Sequence, residues 1–160
     1  MAKRDFQKAL DYCFLLLRYR QRSRLEIIRR LKARKYRKEI IARVVEYLQD
    51  RDYINDKHFA YLYMESYLKR GWGPRKIDLG LKKAGIPYAL RKEVISRDID
   101  CRDRIADIVR EKLKSYRRRG GYSCQKTRAR LIRYLSGRGY RYRDILEGVK
   151  RAFKTENEDI

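Results

Sequence analysis

Histidine is almost missing from this chain of 160 residues: His58 is the only one. A two-histidine metal site therefore lacks its ligands, and any histidine-based catalysis would have to rest on His58. Cysteine is scarce as well. Cys13, Cys101 and Cys124 are odd in number, far apart and without CxxC spacing, so neither a disulfide framework nor a zinc site is indicated and they read as reduced thiols. Proline occurs twice and glycine nine times, and alternating β-branched runs are few, which argues against a β-rich fold. The apolar run at residues 13–17 is too short to span a membrane, and no small-residue cleavage site follows the basic start. Nothing in the sequence directs the protein out of the cytoplasm.

Positive charge is what the chain has in excess. Lys and Arg number 44 against 21 Asp and Glu, a formal charge of +23, while 43% hydrophobic residues are enough for a packed core. Such a surplus destabilises a compact state by self-repulsion unless a polyanion or acidic partner offsets it, so nucleic acid, or an assembly built on it, is the expected partner. Residues 1–55 hold 16 basic and 7 acidic side chains and residues 101–153 hold 17 and 5, making the two ends the cationic poles.

Spacing points to an all-α fold. Phe6, Leu10, Phe14 and Leu17 line one face of a first helix, and Leu15 and Leu16 widen it, predicting burial on more than one side. Ser23, Arg24, Leu25 and Glu26 form a capping box that opens a second helix with the stripe Ile27, Ile28 and Leu31. After a break near Lys35, a third carries Ile40, Ile41, Val44, Val45 and Leu48. Tyr53 and Ile54 pack at the next turn, and Asn55 or Asp56 caps a helix holding Phe59, Leu62 and Tyr63. The stretch GWGPRKIDLGLKKAGI at residues 71–86 writes a whole helix: Gly73 as N-cap, Pro74 at the first position, Ile77, Leu81 and Ala84 as the buried stripe, and Gly85 as a left-handed stop. Pro87 then occupies the first turn of another helix, with Leu90, Val94 and Ile95.

These pieces repeat. A shift of 50 residues lays Ser23 on Gly73, Ile27 on Ile77, Leu31 on Leu81, Lys35 on Gly85 and Ile40 on Leu90. A shift of 104 lays Leu31 on Leu135 and places Thr127, Leu131, Gly139 and Ile145 at or beside the matching positions. The expectation is three tandem three-helix repeats, at residues 1–55, 56–98 and 99–153, forming an elongated, curved array of either hand. The third repeat opens with a helix from about residue 100 to 116, followed by an arginine-rich loop at 117–121, and residues 154–160 read as a disordered acidic tail.

No catalytic constellation emerges, and neither enzyme activity nor a cofactor is expected. His58 is read as a first-turn helix residue, and the lone GxG at residues 71–73 as a turn, since it follows no strand and lacks a third glycine. Asp50, Asp52 and Asp56 straddle a helix end and a cap, a poor arrangement for a metal carboxylate cluster. Trp72 is read as the anchor of its turn rather than a base-stacking platform. Tyrosines interleaved with arginine, as at residues 116–122 and 139–143, are also how single strands are gripped, but Tyr36 and Tyr140 match the position of Ile86 and are read as packing residues. On the second helix of each repeat, a turn of 100° per residue puts Arg29 and Lys32, then Lys76, Lys82 and Lys83, then Arg130 and Arg133 on the solvent side. With Arg24 and Arg128, these are the candidate residues for binding nucleic acid or an assembly built on it.

In order and spacing, RSRLEIIRRL at 22–31, LQDRDYINDKHFA at 48–60, GWGPRKIDLGLKKAGI at 71–86 and RLIRYLSGRGYRYRDI at 130–145 resemble the RecX family, bacterial regulators of the RecA recombinase. The resemblance covers nearly all of residues 6–153. It implies three tandem three-helix units and a monomer lying in the groove of the RecA–DNA filament. There it would touch more than one RecA protomer and restrain ATP hydrolysis, strand exchange or co-protease activity, its cations meeting DNA phosphates non-specifically and electrostatically or else acidic protomer surfaces. A plain nucleic-acid-binding module is the rival reading, and a small nuclease a distant third.

Overall fold

The computed structural model describes residues 2–96, 101–118 and 124–158, and among these it contains nine α-helices and no strand. They are α1 (Ala2–Tyr19), α2 (Arg24–Ala33), α3 (Lys38–Asp50), α4 (Asp56–Lys69), α5 (Pro74–Lys83), α6 (Tyr88–Ser96), α7 (Cys101–Arg118), α8 (Cys124–Gly137) and α9 (Tyr142–Glu158). The all-α expectation holds. Several elements are longer than the sequence reading made them: α7 runs past Tyr116 to Arg118, and α9 continues past Phe153 to Glu158 instead of ending in a frayed tail at 154. Asp100, the boundary at 98–99, residues 119–121 of the arginine-rich loop, Tyr122 and residues 159–160 lie outside the described residues.

The chain divides into two compact units, Met1–Tyr63 with Gly80–Val94, and Met64–Leu79 with Ile95–Ile160. Both α4 and α5 are split between them. The first unit is centred on α3, whose Ile40, Ile41, Val44, Val45 and Leu48 are all buried, as their spacing requires, against Ala9, Leu10 and Cys13 of α1 and Ile27 and Leu31 of α2. Leu16 widens the α1 face as expected, packing against this core beside Phe6, Phe14 and Leu17, whereas Leu15 is 49% exposed and does not. Leu62 and Tyr53 are also exposed, although the Tyr53 ring meets Phe14 edge-on at 4.9 Å.

In the second unit α7 lies along α9, with Ile105, Val109 and Leu113 packed among Ile145, Val149 and Ala152, and with Leu131, Leu135 and Tyr140 completing the core. The crossing is close. A Cβ on Gly148 would stand 2.5 Å from Ile105 Cγ2 and 2.9 Å from the Arg102 carbonyl, so only glycine lets the two backbones approach. Arg102–Glu147 at 2.9 Å and Arg151–Asp103 at 2.7 Å tie the same pair of helices at the surface.

The helix punctuation follows the sequence closely. Ser23 Oγ accepts the Glu26 N–H while the Glu26 carboxylate accepts the Ser23 N–H, a complete capping box. Asn55, rather than Asp56, caps α4, accepting the N–H groups of Lys57 and His58. Pro87 sits just before α6, its carbonyl accepting the Arg91 N–H, one position earlier than first-turn placement. At five stops the second residue past the helix has positive φ and the next N–H reaches back to the last turn: Lys35, Asp52, Gly71, Gly85 and Gly139, followed by Tyr36, Tyr53, Trp72, Ile86 and Tyr140.

Candidate nucleic-acid and partner interface

All nine cations singled out from the sequence are exposed. They do not form one uniform class. In the first unit, Arg29 Nη1 donates to the Lys83 carbonyl at 2.9 Å, so this guanidinium satisfies the C-terminal end of α5 instead of standing free in solvent. Arg24 and Lys32 lie on another side of α2, at the rim of a groove of about 590 Å³ between α2 and α3. Ile28, Ile41, Ala42 and Val45 line that groove, and Lys38, Glu46 and Asp50 share its rim. The Arg24 backbone N–H donates to Asp56 at 2.8 Å, which explains why Asp56 is unavailable as the cap of its own helix. Lys82 and Lys83 belong to this unit, and Lys76, Arg128, Arg130 and Arg133 to the second.

In the second unit, the loop before α5 is stapled to the loop before α9. Gly73 N–H donates to the Arg138 carbonyl at 2.8 Å, Arg75 N–H to the Gly139 carbonyl at 3.1 Å, and Arg138 Nη1 to the Arg70 carbonyl at 3.0 Å. Trp72 is anchored here, as its position between two helix boundaries predicts. The Arg138 guanidinium lies 4.5 Å from its ring centre and 5.1 Å from that of Tyr134, the Lys76 ammonium 5.7 Å, and the Tyr67 ring 6.3 Å. Lys76 is thus paired with an aromatic face, as is Arg130, 5.5 Å from Tyr116. Tyr140 is 1% exposed and Tyr36 is partly buried against the first core, so both are packing residues.

One cluster escaped the sequence reading. Glu26, Arg30 and Arg34 fall at i, i+4 and i+8 on α2, and Arg34 stacks 3.9 Å over the ring of Tyr12 on α1. Arg20 clasps both oxygens of Glu26, at 2.6 and 2.9 Å. Arg22, in the α1–α2 joint, keeps a buried Nε with no hydrogen-bond partner. Burial and the positive charge of Arg20 push the Arg22 guanidinium below its ordinary pKa; Glu26 opposes the shift and Arg30 adds to it. The i, i+4 spacing was the available signal, but proximity to Tyr12 and Arg22 depends on how α1 returns against α2.

Among the described residues no group of three His, Cys, Asp or Glu side chains could hold a metal ion; Asp52 accepts the Asn55 side-chain amide and Asp56 accepts the Arg24 N–H. No described helix is long and apolar enough to cross a membrane.

Fold and surface together define an all-helical, strongly basic protein whose cations lie on helix faces and joints. No family model matches the chain. It is 32% identical over 160 residues to the regulatory protein RecX of Mycobacterium sp. (strain KMS), covering 95% of this chain and 85% of that protein. It is 30% identical over 135 residues to the regulatory protein RecX of Clostridium acetobutylicum, covering 82% of this chain and 63% of that one, so it spans only about three fifths of that relative's length. The crystal structure of RecX from Lactobacillus salivarius superimposes with a TM-score of 0.78 at 24% identity, over 94% of this chain and 97% of that chain, a likeness of fold. The chain belongs to the RecX family.

Proposed function

We propose that this protein is a regulator that binds in the groove of the RecA–DNA filament and restrains RecA ATP hydrolysis, strand exchange and co-protease activity. Family membership carries the reading, since the relatives bear the name regulatory protein RecX. The exposed cations on α2, α5 and α8 support it: contacts spread over several helices raise avidity without one strong site, and they suit a repetitive polyanionic partner. The protein acts as a monomer in the cytoplasm, and DNA phosphates are met electrostatically without sequence preference.

Purified protein added to RecA-coated single-stranded DNA slows ATP turnover in a saturable manner. Unchanged turnover at saturating protein refutes the proposal. The rival reading, a general nucleic-acid-binding module, draws on the guanidinium cluster beside Tyr12 and requires equal affinity for bare and coated DNA. Charge reversal at Lys76, Lys82 and Lys83 tests the middle of the chain: inhibition lost with helicity retained assigns the working surface to α5.

A further inference from the structure

The α1–α2 joint gathers the guanidiniums of Arg20, Arg22 and Arg30 about one carboxylate, Glu26, and Arg34, at the end of α2, stacks on the Tyr12 ring that borders Arg22. That carboxylate is already committed to Arg20 and to the Ser23 N–H. Arg34 is held flat on Tyr12, and Arg30 has no ion pair among the described residues. Arg22 carries a buried donor with nothing to receive it. Buried polar groups are normally satisfied, so an orphan donor among like charges marks a place where the free protein is incomplete.

From this juxtaposition we infer that Arg22, Arg30 and Arg34, with Tyr12 as their floor, form a phosphodiester-binding site for a nucleic-acid strand on the first unit. Guanidiniums donate paired hydrogen bonds to phosphate; Arg30 and Arg34 are exposed and positioned to do so, and the enclosed Arg22 Nε gains a partner when its side chain turns out toward the strand. Several uncompensated guanidiniums call for a ligand with more than one negative charge in succession, which a strand supplies at every nucleotide. Arg34 is preorganised by its stacking on Tyr12, and Arg20 is kept out of competition by Glu26. The inference deepens the proposed function, since it rests on contact with the DNA of a nucleoprotein filament, and it assigns that contact to residues outside the α2, α5 and α8 candidates.

The test uses the full chain and a short fluorescent single-stranded oligonucleotide, with affinity measured across a salt series. Each phosphate contact on a single strand contributes about 0.7 to the slope of log affinity against log salt. The double variant Arg22→Met and Arg30→Met is expected to lower that slope by about 1.4, while Lys3→Met with Lys8→Met, which removes the same charge from exposed positions on α1, leaves it within about 0.3. Without oligonucleotide, the cluster variant unfolds at the same or a higher temperature than the parent, because like-charge repulsion and the orphan donor are relieved. An unchanged slope overturns the site, and so does a lower unfolding temperature in the absence of ligand, which is the mark of a packing role. Poly-glutamate displacing the oligonucleotide from the parent at equal charge concentration, and from the cluster variant no longer, also overturns it in favour of an acidic protein ligand. A changed slope alongside unaffected RecA ATP turnover leaves the site standing and removes the filament reading alone.

Discussion

Three glycines of the second unit separate backbone strain from steric exclusion. Gly71 has φ +75° but open space around it, the nearest atom to an added Cβ being Ile108 Cδ1 at 3.7 Å. Gly71→Ala therefore carries only the left-handed penalty, about 1–2 kcal/mol. Gly73 has no positive φ, yet its Cβ would lie 2.5 Å from Tyr140 N, 2.6 Å from Gly139 C and 2.7 Å from Gly139 O. All three are backbone atoms, which cannot rotate away. Relief requires parting the loops and lengthening the Gly73 to Arg138 and Arg75 to Gly139 hydrogen bonds. With about 1 kcal/mol for each of the two weakened bonds and about 1–3 kcal/mol for overpacking, Gly73→Ala costs about 3–5 kcal/mol. Gly139→Ala combines both terms, φ +88° and a Cβ 2.7 Å from Lys76 N, and should be at least as costly. Trp72, the only tryptophan, lies in this unit and reports its unfolding in urea by emission. At a slope of about 1–3 kcal/mol/M, Gly73→Ala should unfold about 1 M earlier than Gly71→Ala. A Gly73→Ala midpoint equal to or above that of Gly71→Ala would refute the staple as described.

Tyr140 tests the opposite sign. Its hydroxyl is buried without a partner, and burial pushes the phenol up to about 12, so Tyr140→Phe should raise stability by about 1 kcal/mol in the same assay. The parent should lose stability as pH climbs from 10 towards 12, where the unfolded phenol ionises first; an alkaline profile identical in Tyr140→Phe refutes this. For Glu26, burial disfavours the charged form, but Arg20's hydrogen bonds and charge and the Ser23 N–H outweigh it, so the carboxyl sits below its ordinary 4.5. Its contribution is complete above that value and fades as pH falls through the lower folded one; Glu26→Gln should flatten the acid limb, measured by helicity against pH. Cys13 is fully buried and its thiol is pushed up to about 12 by desolvation, so in a Cys101→Ser, Cys124→Ser background it should resist a thiol reagent at neutral pH until urea unfolds the chain. Rapid labelling of folded protein would contradict the burial.

What was legible in the sequence was local. The Ser23 and Glu26 box, the five buried aliphatics of α3 and the Gly85 stop each depend on residues within one turn, and each is where the pattern put it. The interface was less legible, because the fate of a cation is decided by groups far along the chain. Arg29 looks like a solvent residue on a helical wheel, yet bonds a carbonyl 54 positions away. Asp56 looks like a cap, yet is taken by Arg24 across 32 positions. Arg22 and Arg30 looked like any other charges until α1 brought Tyr12 and Arg20 beside them. Periodicity predicts which side chains leave the core; it does not predict what they meet outside it.

Two long-range contacts nevertheless fall at positions that sequence shifts of 50 and 54 bring into register, and this explains where glycine is required. In the first unit Ser23 Oγ donates to the Ala84 carbonyl at 2.7 Å; in the second, Gly73 N–H donates to the Arg138 carbonyl at 2.8 Å. Ser23 and Gly73 correspond under the shift of 50, and Ala84 and Arg138 under its sequel of 54. The start of α2 thus receives the stop of α5 through a hydroxyl, and the start of α5 receives the stop of α8 through the backbone. The residue after each received carbonyl must come very close: a Cβ on Gly85 would stand 2.6 Å from Leu25 Cδ2, and one on Gly139 2.7 Å from Lys76 N. Lys35 occupies the matching stop of α2 with φ 61° and is exposed, so no such approach is made there and a side chain is tolerated. Glycine is needed at these stops less for the turn, which lysine also makes, than for the joint that forms against it.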